Sequence, residues 1–137
     1  MAPDQGLICA GFGVRDAGPL EDLERALAAA LAAAGLKQAA LGTLCAPDFK
    51  QARVAPFALT LGLPLALVSL EQLRQGPLPT LTRSPRVIER YGVGSIAEAC
   101  ALLGARRLGP AGRLRLLGPR VSAASATCAL AISESQA

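Results

Sequence analysis

The sequence predicts an α/β protein: a single three-layer domain with a mostly parallel sheet of about five strands and an antiparallel C-terminal edge. Three observations predict it. Short apolar runs near residues 7–10, 41–45 and 64–68 alternate with stretches of helical spacing, the order expected of strands and crossover helices. Residues 20–34 form an amphipathic stretch with terminal signals at both ends. Two final apolar runs, 114–117 and 126–132, flank a turn-rich segment, so an antiparallel pair closes the sheet.

The elements follow in order. Leu7 to Ala10 is a short buried strand, and Gly11-Phe12-Gly13 is the turn after it. Leu20, Leu23, Leu27, Leu31 and Ala34 recur at helical spacing, with Glu21, Asp22, Glu24 and Arg25 on the other side. Pro19 suits a first helical turn, the acidic residues suit the positive end of the helix dipole, and Gly35 ends the helix. A second strand spans Leu41–Cys45, followed by a loop through Lys50 and a short helix near 51–61. Pro64 to Val68 is a third strand, and Ser69 caps a short helix reaching Arg74. Residues 76–86 hold three prolines and little pattern, so they form a long exposed loop of the kind that is often functional. Pro85–Arg90 is one or two helical turns. Ser95-Ile96-Ala97-Glu98 fits a capping box that opens a helix to about Leu103, with Gly104 as its stop.

The composition bounds the chemistry. A length of 137 residues suits one domain over 1–137, with enough chain for one sizeable core. The apolar content of 52% and charged content of 18% exclude disorder. With no His, a Ser-His-Asp or Cys-His triad, a His-ligated metal and a zinc-protease helix are all removed. Cys9, Cys45, Cys100 and Cys128 have no CxxC spacing and read as free buried thiols. No metal and no cofactor are expected. The N-terminus lacks a basic region followed by an apolar run, so no signal peptide is expected. Residues 54–70 are uncharged but interrupted by Pro56, Gly62 and Pro64, whereas a spanning helix needs roughly 20 apolar residues. The expected protein is soluble and cytoplasmic, with no membrane partner.

The net charge of +4 is unevenly spread. Met1 to Leu73 carries five basic and seven acidic residues; Arg74 to Arg120 carries nine Arg against Glu89 and Glu98. Arg outnumbers Lys twelve to two. The planar Arg fork matches carboxylate or phosphate and points to an anionic partner; a GC-rich genome that uses Arg for every solvated cation gives the same bias. Nucleic acid is not expected, since aromatics for stacking bases are scarce and no binding motif occurs.

Three loops hold candidate residues. Gly11-Phe12-Gly13 is not a dinucleotide fingerprint, because Asp16 stands where the third glycine belongs. A turn at the carboxyl end of a strand still directs Arg15 and Asp16 toward the crevice where open α/β sheets bind ligands, or leaves them as exposed charges of a tight turn. Asp48 and Lys50 follow the second strand at the same edge, as a surface loop or as an acid and an amine that hold a substrate or activate water. Tyr91-Gly92-Val93-Gly94-Ser95 leads into a helix N-terminus, which favours anions; capping alone also accounts for Ser95 and Glu98.

The string Ser84-Pro85-Arg86-Val87-Ile88-Glu89-Arg90-Tyr91-Gly92-Val93-Gly94-Ser95-Ile96-Ala97-Glu98-Ala99 resembles the "Ser…Val…Val-Gly…Ser-Val-Ala-Glu-Ala" pattern of the CobE and CbiG C-terminal-domain family of cobalamin (vitamin B12) biosynthesis. Gly11-Phe12-Gly13-Val14-Arg15 is similar to that family's "Gly-Ile-Gly-Cys-Arg", and Thr43 to Lys50 to its "Thr…Asp/Glu-Leu-Lys". Leu116-Leu117-Gly118-Pro119-Arg120 with Thr127-Cys128-Ala129-Leu130-Ala131 is similar to its "Val-Pro-Lys…Thr-Val-Ala-Ile-Ala" ending. Val14 replaces the usual Cys, Gln51-Ala52-Arg53-Val54 replaces an acidic stretch, and Arg120 stands where Lys is common. The resemblance is to a stand-alone member tied to the aerobic corrin pathway. The larger members carry extra N-terminal domains and open a lactone on a cobalt-corrinoid, releasing acetaldehyde.

The resemblance implies a partner, a polycarboxylated precorrin or corrin tetrapyrrole intermediate, which the chain would carry or present to other cobalamin-pathway enzymes. Arg15, Lys50, Arg86, Arg90 and Arg120 are then the expected carboxylate partners, and Gly11, Gly13, Gly92, Gly94 and Ser95 would shape the pocket. Were it an enzyme instead, Asp48 or Glu89 would act as base and Lys50 would stabilise the oxyanion. A third expectation is a non-catalytic subunit that only contacts other pathway enzymes.

Overall fold

The computed structural model describes residues 8–75, 78–109 and 113–134. The start of the first expected strand at Leu7, the N-terminal segment read for a signal peptide, and Gly76 and Pro77 of the expected loop lie outside the described residues. The element order is β1 (Ile8–Val14), α1 (Leu20–Ala34), β2 (Leu41–Pro47), α2 (Gln51–Leu61), β3 (Leu65–Val68), α3 (Leu70–Arg74), α4 (Pro85–Tyr91), α5 (Ile96–Leu108), β4 (Arg113–Leu116), β5 (Val121–Ala123) and β6 (Ala126–Glu134). The strands form one sheet in the order β3-β2-β1-β6-β4, and β5 also pairs with β6. β1, β2 and β3 are mutually parallel. β6 lies antiparallel to β1 over seven positions, from Ile8↔Ile132 to Val14↔Ala126.

The fold class is as expected, with one strand more. β5 arises within the segment read as turn: Val121–Ala123 pairs with Ala126–Cys128 in a tight hairpin. β4 and β5 run in line along the side of β6 away from β1. They are interrupted at 117–120, where Gly118 takes φ 140.

Alternation along β1 separates two cores. Ile8, Ala10 and Phe12 join α1 and α2 on one face; Cys9 joins α3 and α5 on the other. This is the three-layer arrangement. α1 forms as its spacing requires, burying Leu23, Ala26, Leu27, Ala30 and Leu31. Each buried Leu contributes roughly 1.5–3 kcal/mol. Gly35 closes the helix in the left-handed region at φ 68. Pro19 sits one residue before the first turn, at the N-cap.

Three glycines do other work than expected. Gly11-Phe12-Gly13 is not a turn; all three lie in β1. A Cβ on Gly11 would sit 2.2 Å from the backbone N of Ala101, so its missing side chain is what lets α5 press onto the sheet. Gly104 does not stop α5, which continues to Leu108. A Cβ there would lie 2.4 Å from Cys9 Sγ. The Ala-rich sequence of α5 serves the same close approach. Its cost in helix propensity at Gly104, about 1 kcal/mol, is offset by contact between layers.

The loop before α4 is fastened where it meets α5. Glu98 is fully buried, and its carboxylate accepts from Leu81 N (2.6 Å), Thr82 N (2.8 Å), Thr82 Oγ1 (2.5 Å) and Arg120 N (2.9 Å). The capping box is therefore half formed: Ser95 Oγ accepts from Glu98 N, but the Glu98 carboxylate turns to the loop. Ser69 and Gln72 do form the reciprocal box at α3.

Candidate functional site

The parallel strands β1 and β2 end at Val14 and Pro47. Register with β6 brings the β5–β6 turn to the same edge, since Val14 faces Ala126. The first residues of α5 and the last of α4 close the other side. Five elements thus converge where open α/β sheets bind ligands.

Two adjoining cavities lie there. One, about 300 Å³, is lined by Gly13, Val14, Arg15 and Asp16 after β1, Pro47, Phe49 and Lys50 after β2, and Arg90, Tyr91 and Ile96. The other, about 530 Å³, shares Gly13, Val14, Arg15 and Ile96 and is completed by Arg86, Arg120 and the hairpin. Both sizes fall in the range of small-molecule sites. All five cations expected to meet carboxylates, Arg15, Lys50, Arg86, Arg90 and Arg120, line one cavity or both.

Charge in the site is partly balanced. Lys50 Nζ donates to Asp16 Oδ1, with the Lys50 side chain 17% exposed and Asp16 97% exposed. That bond and the adjacent ammonium hold the Asp16 carboxyl below its usual range. Burial alone would raise Glu98, but bonds from Thr82, Arg120 and Leu81 outweigh it and bring its pKa below the ordinary value.

The rim is braced from behind. Arg53 Nη1 donates to the Arg15 carbonyl at 2.9 Å, and Arg53 Nη2 donates to Pro19 O at 3.3 Å and Ser125 Oγ at 3.0 Å. Asp22 accepts from Ser125 Oγ at 2.6 Å and Ser125 N at 3.1 Å; those two bonds lower its pKa. Arg53, one of the residues standing in place of an acidic stretch, is therefore a brace for the Arg15 loop. Arg74 Nη2 donates to the Arg90 carbonyl at 2.6 Å and ties the end of α4.

Other expected residues stand apart from the cavities. Asp48 and Glu89 are exposed and line neither. Gly11 lies beneath α5. Gly92 supplies the left-handed C-cap of α4 at φ 78. Gly94 packs against the loop, where a Cβ would sit 2.1 Å from Thr82 O. Ser95 is buried as the N-cap of α5. Arg113 and Arg115 lie on β4, at the opposite end of β6 from the cleft, where Arg115 pairs with Glu134.

Phe49, Ile96 and the hairpin residues Ser122, Ala124, Ser125 and Thr127 were not legible as site residues, and Tyr91 was legible only as part of its candidate loop. The one signal was aromatic scarcity: two of only four aromatic residues fall in the segments that meet here, Phe49 after β2 and Tyr91 at the end of α4.

All four cysteines are free and buried. Burial pushes the Cys9 and Cys100 thiols well above their ordinary value, so they remain protonated and pack as small apolar groups. Among the described residues, no group of three or more His, Cys, Asp or Glu is disposed to hold a metal ion, and no helix is long and apolar enough to cross a membrane.

A family model described as the cobalamin synthesis G C-terminus matches residues 8–131. Among solved structures, the chain is similar to CobE, a protein from the cobalamin (vitamin B12) biosynthetic pathway, with 32% identity and a TM-score of 0.83 over 95% of this chain and 91% of that one. It is also similar to cobalamin biosynthesis protein chiG from Agrobacterium tumefaciens str. C58, with 25% identity and a TM-score of 0.65 over 93% of this chain and 99% of that one. A cobalamin biosynthesis protein G homolog from Sulfolobus solfataricus shares the fold, with 20% identity and a TM-score of 0.71; the match covers 93% of this chain and 37% of that one. Among curated protein sequences, none matches the chain.

Proposed function

The chain belongs to the cobalamin synthesis G C-terminus family, and from that membership we propose that it binds a polycarboxylated precorrin or corrin intermediate. It is a cobalamin biosynthesis protein; the proposal concerns what it does in that pathway. The intermediate is held in the cleft beyond β1 and β2 and carried or presented to another enzyme. One observation carries the reading: Arg15, Lys50, Arg86, Arg90 and Arg120, drawn from separate parts of the chain, line two adjoining cavities. Such intermediates are macrocycles edged by acetate and propionate groups. Arg forks bind carboxylates through charge-assisted, often bidentate bonds. The N-terminal end of α5, whose Ile96 and Ala97 face the larger cavity, adds favourable potential for anions.

Binding fits the geometry better than hydrolysis does. Lactone opening needs a general base beside the substrate, and the carboxylates Asp48 and Glu89 were the expected ones. Asp48 and Glu89 line neither cavity, and Asp16, which lines the smaller one, is engaged by Lys50.

The test is titration with precorrin and corrin intermediates, read by the macrocycle absorption spectrum and by product mass. A spectral shift without a mass change is expected. Arg15→Ala, Arg86→Ala and Arg120→Ala should each weaken binding by roughly tenfold, the scale of one charge-assisted bond. Unchanged affinity in all three would sink the proposal. A mass change would make the chain an enzyme, and a stable complex with a pathway enzyme but no affinity for free tetrapyrrole would make it a structural partner.

A further inference from the structure

The chain has four aromatic residues, three Phe and one Tyr. Two serve the core: Phe12 and Phe57 meet edge to face with ring centroids 5.8 Å apart. The other two lie at the cleft. Phe49 comes from the 3-10 turn after β2, and Tyr91 is the last residue of α4. Their rings are nearly parallel, 10° apart, with centroids at 5.9 Å. The Arg90 guanidinium carbon lies 5.5 Å from the Tyr91 ring centroid. Phe49 remains 47% exposed, and both rings line the smaller cavity.

A half-exposed ring stacked on a second ring from a distant element, with a guanidinium beside that second ring, offers an outer π face toward the cleft. Offset-parallel rings and guanidinium planes both attract π systems. Cations alone discriminate by the number and spacing of carboxylates. They sense ring shape only through that spacing and have no direct contact with the conjugated face.

We infer that Phe49 and Tyr91 form a stacking platform that selects the flat, conjugated face of a tetrapyrrole, while the surrounding cations take its carboxylates. The inference rests on the tetrapyrrole reading above and adds a shape criterion to it. Phe49 and Tyr91 are thereby specificity-determining residues.

The experiment compares two probes with the same eight carboxylates: uroporphyrin, which is flat and conjugated, and its reduced porphyrinogen, which is puckered and unconjugated. Both are titrated anaerobically by calorimetry against the whole chain, and against Phe49→Leu and Tyr91→Leu. The Leu substitutions keep apolar bulk, and circular dichroism reports whether each variant is folded. Each variant should lose about tenfold in affinity for uroporphyrin and less than about twofold for the porphyrinogen. The shift of the uroporphyrin absorption band on binding should shrink in parallel. Equal losses for both probes, or no loss for either, would overturn the platform and leave the carboxylate reading standing. A wild-type chain that binds neither probe would overturn the platform, while the precorrin and corrin titration above decides the carboxylate reading separately. Should Tyr91→Leu not fold, Phe49→Leu decides alone, because its side chain is largely outside the core.

Discussion

Glu98 is fully buried, and its negative charge is met by four donors rather than by a cation. Three come from the Leu81–Thr82 loop and one from Arg120. The residue therefore fastens the loop before α4 and the backbone of a cleft cation to the same helix. Glu98→Gln keeps the shape but turns an amide toward donors. A loss of about 3 kcal/mol is expected, seen as a fall of roughly 10 °C in Tm. Because the folded-state pKa is lowered, the unfolded state binds more protons in the window between the two values. Glu98 thus stabilises the fold above the ordinary carboxylate range, and that contribution fades as pH falls through the lowered value. Denaturant titrations from neutral toward acidic pH should show a shallower acid-side loss in Glu98→Gln than in the parent. Parallel curves would mean that Glu98 does not couple protonation to folding.

The element that organises the molecule is α5, which lies across β1, β2 and β6 at a distance only small residues permit. Substitution at three glycines should rank by what a new Cβ would meet. At Gly11 it meets the backbone of Ala101 and Ala97 within 2.3 Å, which cannot yield without moving the helix. At Gly104 it meets the Cys9 and Cys45 side chains, which can yield somewhat. At Gly62 it meets open space, but φ is 70. Gly11→Ala should abolish stable folding or cost upwards of 3 kcal/mol, Gly104→Ala about 1–3, and Gly62→Ala about 1. Thermal melts of the three variants check this order. A harmless Gly11→Ala would contradict the close approach.

At the scale of the whole molecule, folding sorts the charges. The Arg-rich stretch from 74 to 120 does not form one basic face. Arg74 and Arg107 bond backbone carbonyls, and Arg115 pairs with Glu134. Arg86, Arg90 and Arg120 reach the cleft, where they meet Arg15 and Lys50 from the more acidic N-terminal half. A site built this way should be sensitive to salt, since exposed charges are screened over about 10 Å at 0.1 M ionic strength. Affinity for a polycarboxylated tetrapyrrole should fall about tenfold or more between low and high salt, when the binding constant is measured in a sodium chloride series. Affinity that is flat or rises with salt would point to apolar burial as the driving force.

Local spacing alone determined much of this protein. Helical periodicity defined α1 and its glycine end, and apolar runs defined β1, β2 and β3. These features depend on neighbours a few residues away, so one dimension is enough to see them. The tertiary structure decided what the same residues are for. Gly11 and Gly104 read as a turn and a stop because glycine permits both, yet each is small because another layer lies against it. Glu98 read as a capping residue, but its partners are a loop and a cleft strand end that only folding brings near. Lys50 and Arg120, far apart in the chain, belong to one cleft because β6 threads beside β1 and carries its hairpin to the edge where β1 and β2 end. The stacking of Phe49 on Tyr91 has the same origin. Contacts between distant segments are set by strand order and register, and no periodicity in the sequence encodes them.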